Sequence, residues 1–392
     1  MNEDKNLIIK ETFLLAIQNH QKNNLQIAEK LYNQIIKLEP NHSTAHNNLG
    51  IILQQAGKYQ GAQRCYEKAI EIYPNYIKAL NNLGTIYQEL GEIKKAIDTY
   101  KKVIILKPDH KISIYNLGIV LFTDRQYKNA SKQFKLINFK NSKSFLLNCL
   151  YYLDDRYIFF KGLNDQIKQG EINAIIGSLS CRSEIKYGIK VLNPFCGEPL
   201  KYIFNSNLTE QYDFKNVFAK PIKKNLKKIA FSSVQQDLLI NGHQTAGNLF
   251  AEKNDSLDKI KDIIYLEVKK YQNRFKESKE GFIKNWPKSY SINAWLVSMK
   301  NGGKLFPHMH EHGWISGSIY INIPPKLKTN NGNLVVCVDD IEHETKTGQN
   351  LRKIIDVITG SLCLFPSSLF HYTIPFESKE ERIVLAFDII PD

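Results

Sequence analysis

The chain has 392 residues, 43% of them hydrophobic, and a formal net charge of +14. That length predicts more than one domain with real cores. No apolar run reaches the roughly 18 residues a membrane span needs. The N-terminal stretch MNEDKNLIIKETF, with its early acids and no long apolar stretch, reads as a poor signal peptide. Six cysteines (65, 149, 181, 196, 337, 363) lack CxxC spacing, which predicts free thiols in a reducing, cytoplasmic compartment rather than a disulfide or zinc framework. The basic surplus is mostly lysine and comes without an arginine-rich arm, an RNA-recognition motif or a zinc finger. It therefore reads as solvated surface and not as nucleic-acid binding.

The first 140 residues repeat with a period of 34: Ala28, Ala62, Ala96 and Ala130; Tyr32, Tyr66, Tyr100 and Phe134; Pro40, Pro74 and Pro108; Leu49-Gly50, Leu83-Gly84 and Leu117-Gly118. This pattern resembles the tetratricopeptide repeat and covers about residues 9–142. The resemblance implies an α-solenoid of helix-turn-helix units. In each, Gly50 or Ala62 sits at the close approach of two helices, Tyr66 fills the gap to the neighbouring unit, and Pro74 stops the second helix. Gly57 and Gly91 end first helices, and Arg125 stands where the fourth unit lacks that glycine. Arrays of this kind commonly bind peptides on the concave face, where Asn47, Asn48, Asn81, Asn82 and Asn116 would meet a protein or peptide partner.

From 143 to 227 the register is lost, and this stretch is expected to be a helical and irregular connector. Ser144–Leu163 reads as helix, Ile172–Gly177 as a helix or cap, and Asn193–Pro199 as a turn-rich loop. A last domain is expected over 228–392. It would open with a short strand at Lys228–Phe231, then a loop over Leu238–Phe250 in which His243 is a surface or packing residue, then an amphipathic helix over Leu257–Phe275. Short strands follow at Ser291–Met299, Trp314–Ile323, Leu334–Val338, Ile354–Val357, Ser361–Phe365 and Ile383–Ile389. Turns at 301–303, 330–332 and 359–360 separate them, which predicts a sandwich or barrel. His343 reads as loop, and Cys337 and Cys363 as core.

Within this domain, His308 and His310 are two apart, which places both on one face of a strand. His371 is a distant third histidine able to close a metal site, and Arg382 is an arginine able to grip an acidic cosubstrate. The strings PHMHEHGWISGSIYINIP, GSLCLFPSSLFHYTIPF and ERIVLAFDIIP are similar to those of the 2-oxoglutarate/Fe(II)-dependent oxygenases of the prolyl-hydroxylase-like superfamily. Several members carry tetratricopeptide repeats in front. The resemblance covers about 230–392.

That resemblance implies a double-stranded β-helix, a jelly-roll, and hence a multidomain α + β chain. It implies Fe(II) held by His308, His310 and His371, with 2-oxoglutarate held by Arg382, and with Tyr320 and Asn293 as further cofactor contacts and Trp295 beside them. His371 would follow the strand that carries LFPSSLF. The implied activity is oxidative decarboxylation of 2-oxoglutarate coupled to hydroxylation of a protein or peptide recruited by the repeats. His310 stands where most of the superfamily has Asp or Glu, so the site is one negative charge short. Glu311 or His312 are alternatives for that ligand if the strand bulges or slips. Two competing readings remain: a non-catalytic scaffold with a degenerate oxygenase fold, and a cupin-like metalloenzyme that does not use 2-oxoglutarate.

Overall fold

A computed structural model describes residues 2–229, 238–251, 254–340 and 351–392. The chain divides into two compact units, residues 1–142 and 143–392, so the stretch expected as a connector folds as part of the second unit.

The first unit is a helical solenoid of four pairs: α1 (Asn2–Gln21) with α2 (Leu25–Leu38), α3 (Ser43–Gln55) with α4 (Tyr59–Ile72), α5 (Ile77–Glu89) with α6 (Ile93–Leu106), and α7 (Lys111–Thr123) with α8 (Tyr127–Lys135). The repeat residues explain the pairing. A Cβ on Gly50 would stand 2.6 Å from the Tyr66 ring. The same holds for Gly84 against Tyr100 (2.7 Å) and Gly118 against Phe134 (2.6 Å). Each ring thus lies flat on the glycine of its own pair. The same ring position also reaches the next pair, where the Tyr32 hydroxyl accepts from Asn48 Nδ2. The turns between helices need a left-handed residue. Gly57 (φ 68°) and Gly91 (φ 73°) supply it, and Arg125 (φ 57°) adopts it without being glycine.

The asparagines stitch neighbouring pairs together. Asn82 Nδ2 donates to Asn47 Oδ1 (3.2 Å), and the Ser113 hydroxyl donates to Asn81 Oδ1 (2.8 Å). Asn48 Nδ2 likewise crosses from the second pair to the first, donating to the Tyr32 hydroxyl (3.2 Å).

The second unit opens with α9 (Ser142–Tyr152), α10 (Arg156–Lys168) and α11 (Ala174–Tyr187). The single helix expected over Ser144–Leu163 is therefore two, because Asp154 turns left-handed (φ 58°) between them. The Asn173 side chain caps α11 by accepting from Ile176 N (3.0 Å). Then come β1 (Phe204–Asn207), α12 (Lys220–Ile229), β2 (Leu239–Gln244), α13 (Asp255–Arg274), α14 (Gly281–Lys284), β3 (Tyr290–His308), β4 (Ile315–Asn322), β5 (Leu334–Cys337), β6 (Arg352–Ile355), β7 (Ser361–Pro366), β8 (Phe370–Thr373) and β9 (Arg382–Pro391). Lys228 and Ile229 are helical, against the expected strand. Ala230, Phe231 and His343 lie outside the described residues.

The nine described strands form one curled antiparallel sheet in the order β1-β7-β4-β9-β3-β8-β5-β6, with β2 on β3. This is the expected double-stranded β-helix. β3 joins its two halves: its first half pairs with β9 (Tyr290↔Pro391 to Met299↔Arg382), its end with β8 (Leu305↔Thr373, His308↔His371). The expected turn at 301–303 is instead a bulge inside β3. Ile240 pairs with Lys304 and Gly242 with Met299, so residues 300–303 stand opposite Asn241. That pairing also makes a strand of Leu239–Gln244 within the stretch expected as a loop at Leu238–Phe250, whose remainder is loop.

Alternation sorts the side chains into two layers. On β9, Ile383, Leu385, Phe387 and Ile389 face the apolar layer that holds Ile260, Ile264 and Val268 of α13. Arg382, Val384, Ala386 and Asp388 face a cavity on the other side. β7 divides the same way, with Leu362 and Leu364 outward and Cys363 and Phe365 between the two halves of the sheet. A one-residue slip of β9 would exchange these sets, so burial of the apolar set fixes where the polar set points.

Candidate metal centre

Backbone pairing brings the first two histidines together. His308, the last residue of β3, lies opposite His371 on β8. His371 thus follows the strand β7, as expected, and stands on a short strand of its own. His310 lies two residues past the end of β3, so it does not share a strand face with His308 as expected; the chain turning out of β3 still brings it in. Ring centroids lie 4.3 Å apart for His308 and His371, 4.9 Å for His310 and His371, and 5.1 Å for His308 and His310. One ligand nitrogen from each lies within 4.8 Å of the others.

Glu311 and His312 are not part of this cluster. Glu311 lines the cavity, and burial raises its pKa. His312 is exposed and packs its ring 5.7 Å from that of Phe145.

The rings are held differently. His308 Nδ1 bonds the Phe306 carbonyl (2.9 Å). His310 Nδ1 bonds Asp388 Oδ1 (2.6 Å). His371 Nδ1 is buried without a hydrogen-bond partner. Burial, with His310 adding to it, pushes His308 down to about 4. Burial and then the two neighbouring imidazoles hold His371 well below the usual histidine value. Burial alone would lower His310 too, but the Asp388 carboxylate outweighs it and holds the pKa above the usual value. Near neutral pH, His308 and His371 are uncharged and carry lone pairs.

The cavity beside the histidines measures about 400 Å³ and is lined also by Asn293, Trp295, Tyr320 and Arg382. Arg382 is 2% exposed. Its Nε donates to the Gly332 carbonyl (3.2 Å), and its guanidinium carbon lies 5.2 Å from the Tyr320 ring centre. Tyr320 and Cys363 are the charge partners that bear on it, and among the described residues no carboxylate pairs with it. Burial pulls the Arg382 pKa down and pushes that of Tyr320 up. A buried guanidinium without a counter-ion is costly, and an anion entering the cavity would relieve that cost. The Trp295 ring lies 5.3 Å from His310, and Asn293 is the register partner of Asp388.

These residues fit a divalent transition metal and a small dianion. Three convergent imidazoles, one with a buried nitrogen left without a partner, suit iron(II). Residues 293–388 match the family described as "Putative 2OG-Fe(II) oxygenase". Residues 41–104 match the tetratricopeptide repeat family. The 2OG-Fe(II) oxygenase family implies Fe(II) and 2-oxoglutarate, and all three histidines and Arg382 lie within its match. No curated protein matches the chain.

Among solved structures the chain is similar to PilF of Pseudomonas aeruginosa (19% identity, TM-score 0.41, covering 46% of this chain and 85% of that one). It is similar also to YrrB, described as a TPR protein with an unusual peptide-binding site (18%, TM-score 0.37, covering 40% and 84%), and to MamA (16%, TM-score 0.40, covering 49% and 100%). Among the described residues no helix is long and apolar enough to cross a membrane.

Sequence reasoning missed Asp388 and Ser316. The signal was present: in ERIVLAFDIIP, Asp388 falls at the same parity as Arg382, and Ser316 at the same parity as Tyr320 on β4.

Proposed function

We propose that the protein is an Fe(II)- and 2-oxoglutarate-dependent dioxygenase that hydroxylates a protein or peptide recruited by its repeats. The observation that carries this reading is the pairing, within one cavity, of three convergent histidines with a buried arginine that has no carboxylate partner among the described residues. His308, His310 and His371 would hold the iron. Bound iron together with 2-oxoglutarate would let O2 act as the oxidant, one oxygen atom entering a C–H bond as hydroxyl and the other entering succinate as 2-oxoglutarate loses CO2.

The chain's own groups do the rest. Arg382 neutralises and orients the distal carboxylate of the cosubstrate with two donors in a rigid fork. The Tyr320 hydroxyl, protonated at any working pH because burial raises its pKa, can donate beside it. Trp295 and Asn293 narrow the approach to His310. The Asp388 carboxylate supports this reading over that of a degenerate scaffold, because it restores a negative charge beside the three neutral ligands. In the first unit, amide groups of the asparagine row that the inter-repeat bonds leave over would meet the peptide backbone. A cytoplasmic setting agrees with the six cysteines being free.

Succinate release tests the reading. Wild type loaded anaerobically with Fe(II), then given 2-oxoglutarate and air, should release succinate, and His371→Ala should not. Absence of both iron binding and succinate release in the wild type would contradict it.

A further inference from the structure

The hydrogen bond between His310 and Asp388 is the one contact between the histidine cluster and a carboxylate among the described residues. A carboxylate can only accept, so His310 Nδ1–H donates, and Nε2 is left with the free lone pair. Ser316 Oγ donates to the same Asp388 oxygen (2.8 Å) and lies 2.9 Å from Ser367 Oγ. Asp388, Ser316 and Ser367 are 7%, 2% and 0% exposed. The backbone fixes this group from both sides: Asp388 on β9 is the register partner of Asn293 on β3 and of Ser316 on β4. Space for it is reserved as well. A Cβ on Gly313 would stand 2.5 Å from Ser367 Oγ and 3.4 Å from Asp388 Oδ1, so the turn after His310 tolerates no side chain there.

We infer that Asp388 is a positioning residue of the metal centre: it fixes the ring and tautomer of His310 and delivers, through that hydrogen bond, the negative charge that a carboxylate ligand would otherwise bring. The inference rests on the metal reading above. A histidine in the second ligand position then works as a unit with a carboxylate from a strand 78 residues away. A partner of this kind raises the basicity of a ligating imidazole and is worth about 10- to 100-fold in metal affinity. His308 Nδ1 bonds a neutral carbonyl and has no hydrogen bond to a carboxylate among the described residues.

Co(II) affinity, measured by calorimetry on the full chain, tests this. Asp388→Asn keeps an acceptor for His310 but removes the charge, and should weaken Co(II) about 10-fold. Asp388→Ala removes both and should weaken it about 100-fold. Asp388→Glu should recover part of the loss. The deciding readout is the cycle with His310→Ala: once His310 is gone, Asp388→Asn should cost nothing further, because Asp388 acts through that ring.

Wild-type affinity in Asp388→Asn and Asp388→Ala would overturn the inference and leave the metal reading standing. Losses that add to that of His310→Ala would overturn it too, by making Asp388 merely structural. Failure of the wild type itself to bind Co(II) would overturn the metal reading and the inference with it. If Asp388→Ala fails to fold, as read by urea unfolding without metal, Ser316→Ala replaces it in the cycle, with a smaller expected loss.

Discussion

The two units solve their packing in opposite ways. In the repeat unit one local device recurs: an aromatic ring from the second helix of a pair covers a glycine on the first, at Tyr66 on Gly50, Tyr100 on Gly84 and Phe134 on Gly118. Partners lie 16 residues apart, and each pair folds on contacts close in sequence. In the sheet unit the important groups meet from far apart. His308 meets His371 across β3 and β8, and His310 meets Asp388 across 78 residues. The repeat unit places its polar groups in bonds that join neighbouring pairs, as Asn82 to Asn47. The sheet unit instead leaves charged and ligating groups incompletely matched inside a cavity. Repetition serves stacking, whereas convergence of unmatched polar groups marks the place where a ligand is needed.

The largest effect that separates the two units is expected at Tyr100. Tyr100→Ala should destabilise the repeat unit by about 3–5 kcal/mol, through the cavity left over Gly84. Urea unfolding followed by circular dichroism measures this, and Co(II) affinity should stay within about twofold of wild type, as expected for sites in energetically independent units. A parallel loss of metal binding would mean that the units are not separate in energy.

A smaller effect belongs to the sheet unit. In the metal-free fold His308 titrates at about 4 and His371 well below its usual value, whereas an unfolded histidine takes up its proton near pH 6.5. Below that pH the unfolded chain binds more protons, so stability falls as the pH drops from about 6.5 towards 4. His310 runs the other way: its raised pKa adds stability that is full below pH 6.5 and lost as the pH rises through its folded value. With two histidines against one, unfolding free energy should fall by on the order of 1–2 kcal/mol from pH 7 to pH 5. His371→Gln should show a shallower fall. An equal fall in that variant would mean that His371 is not held neutral.

The smallest effect probes the stitching between pairs. Asn82→Ala removes the bond to Asn47 and should cost about 1 kcal/mol in the same urea assay. A value indistinguishable from zero would show that this bond contributes nothing to joining the repeats.

The contrast also explains what could be read from the sequence. The helix pairs were legible because a 34-residue period repeats one local solution, and even the glycine missing at Arg125 was visible as a gap in it. The three clustered histidines and Arg382 were legible through motif spacing. Less visible was anything set by register. The bulge at residues 300–303 looked like a turn, because Asn301-Gly302-Gly303 carries turn residues whether a strand ends there or bends. β2 and β8 were hidden because a strand next to a long partner needs little apolar alternation of its own. Asp388 was overlooked because an acid near the end of an apolar strand acquires meaning only when β3 and β4 are seen on either side of it.

The central claim is that the three histidines and Arg382 form one site for a metal and an anionic cosubstrate. It is tested most directly by anaerobic calorimetry of 2-oxoglutarate binding to the Fe(II)-loaded and the metal-free protein, for wild type and for Arg382→Ala. The account predicts that wild type binds 2-oxoglutarate only with iron present. Arg382→Ala should retain iron and lose about 100-fold in 2-oxoglutarate affinity, as expected for removing a charge-assisted bidentate partner. Binding of 2-oxoglutarate that needs neither iron nor Arg382 would contradict it.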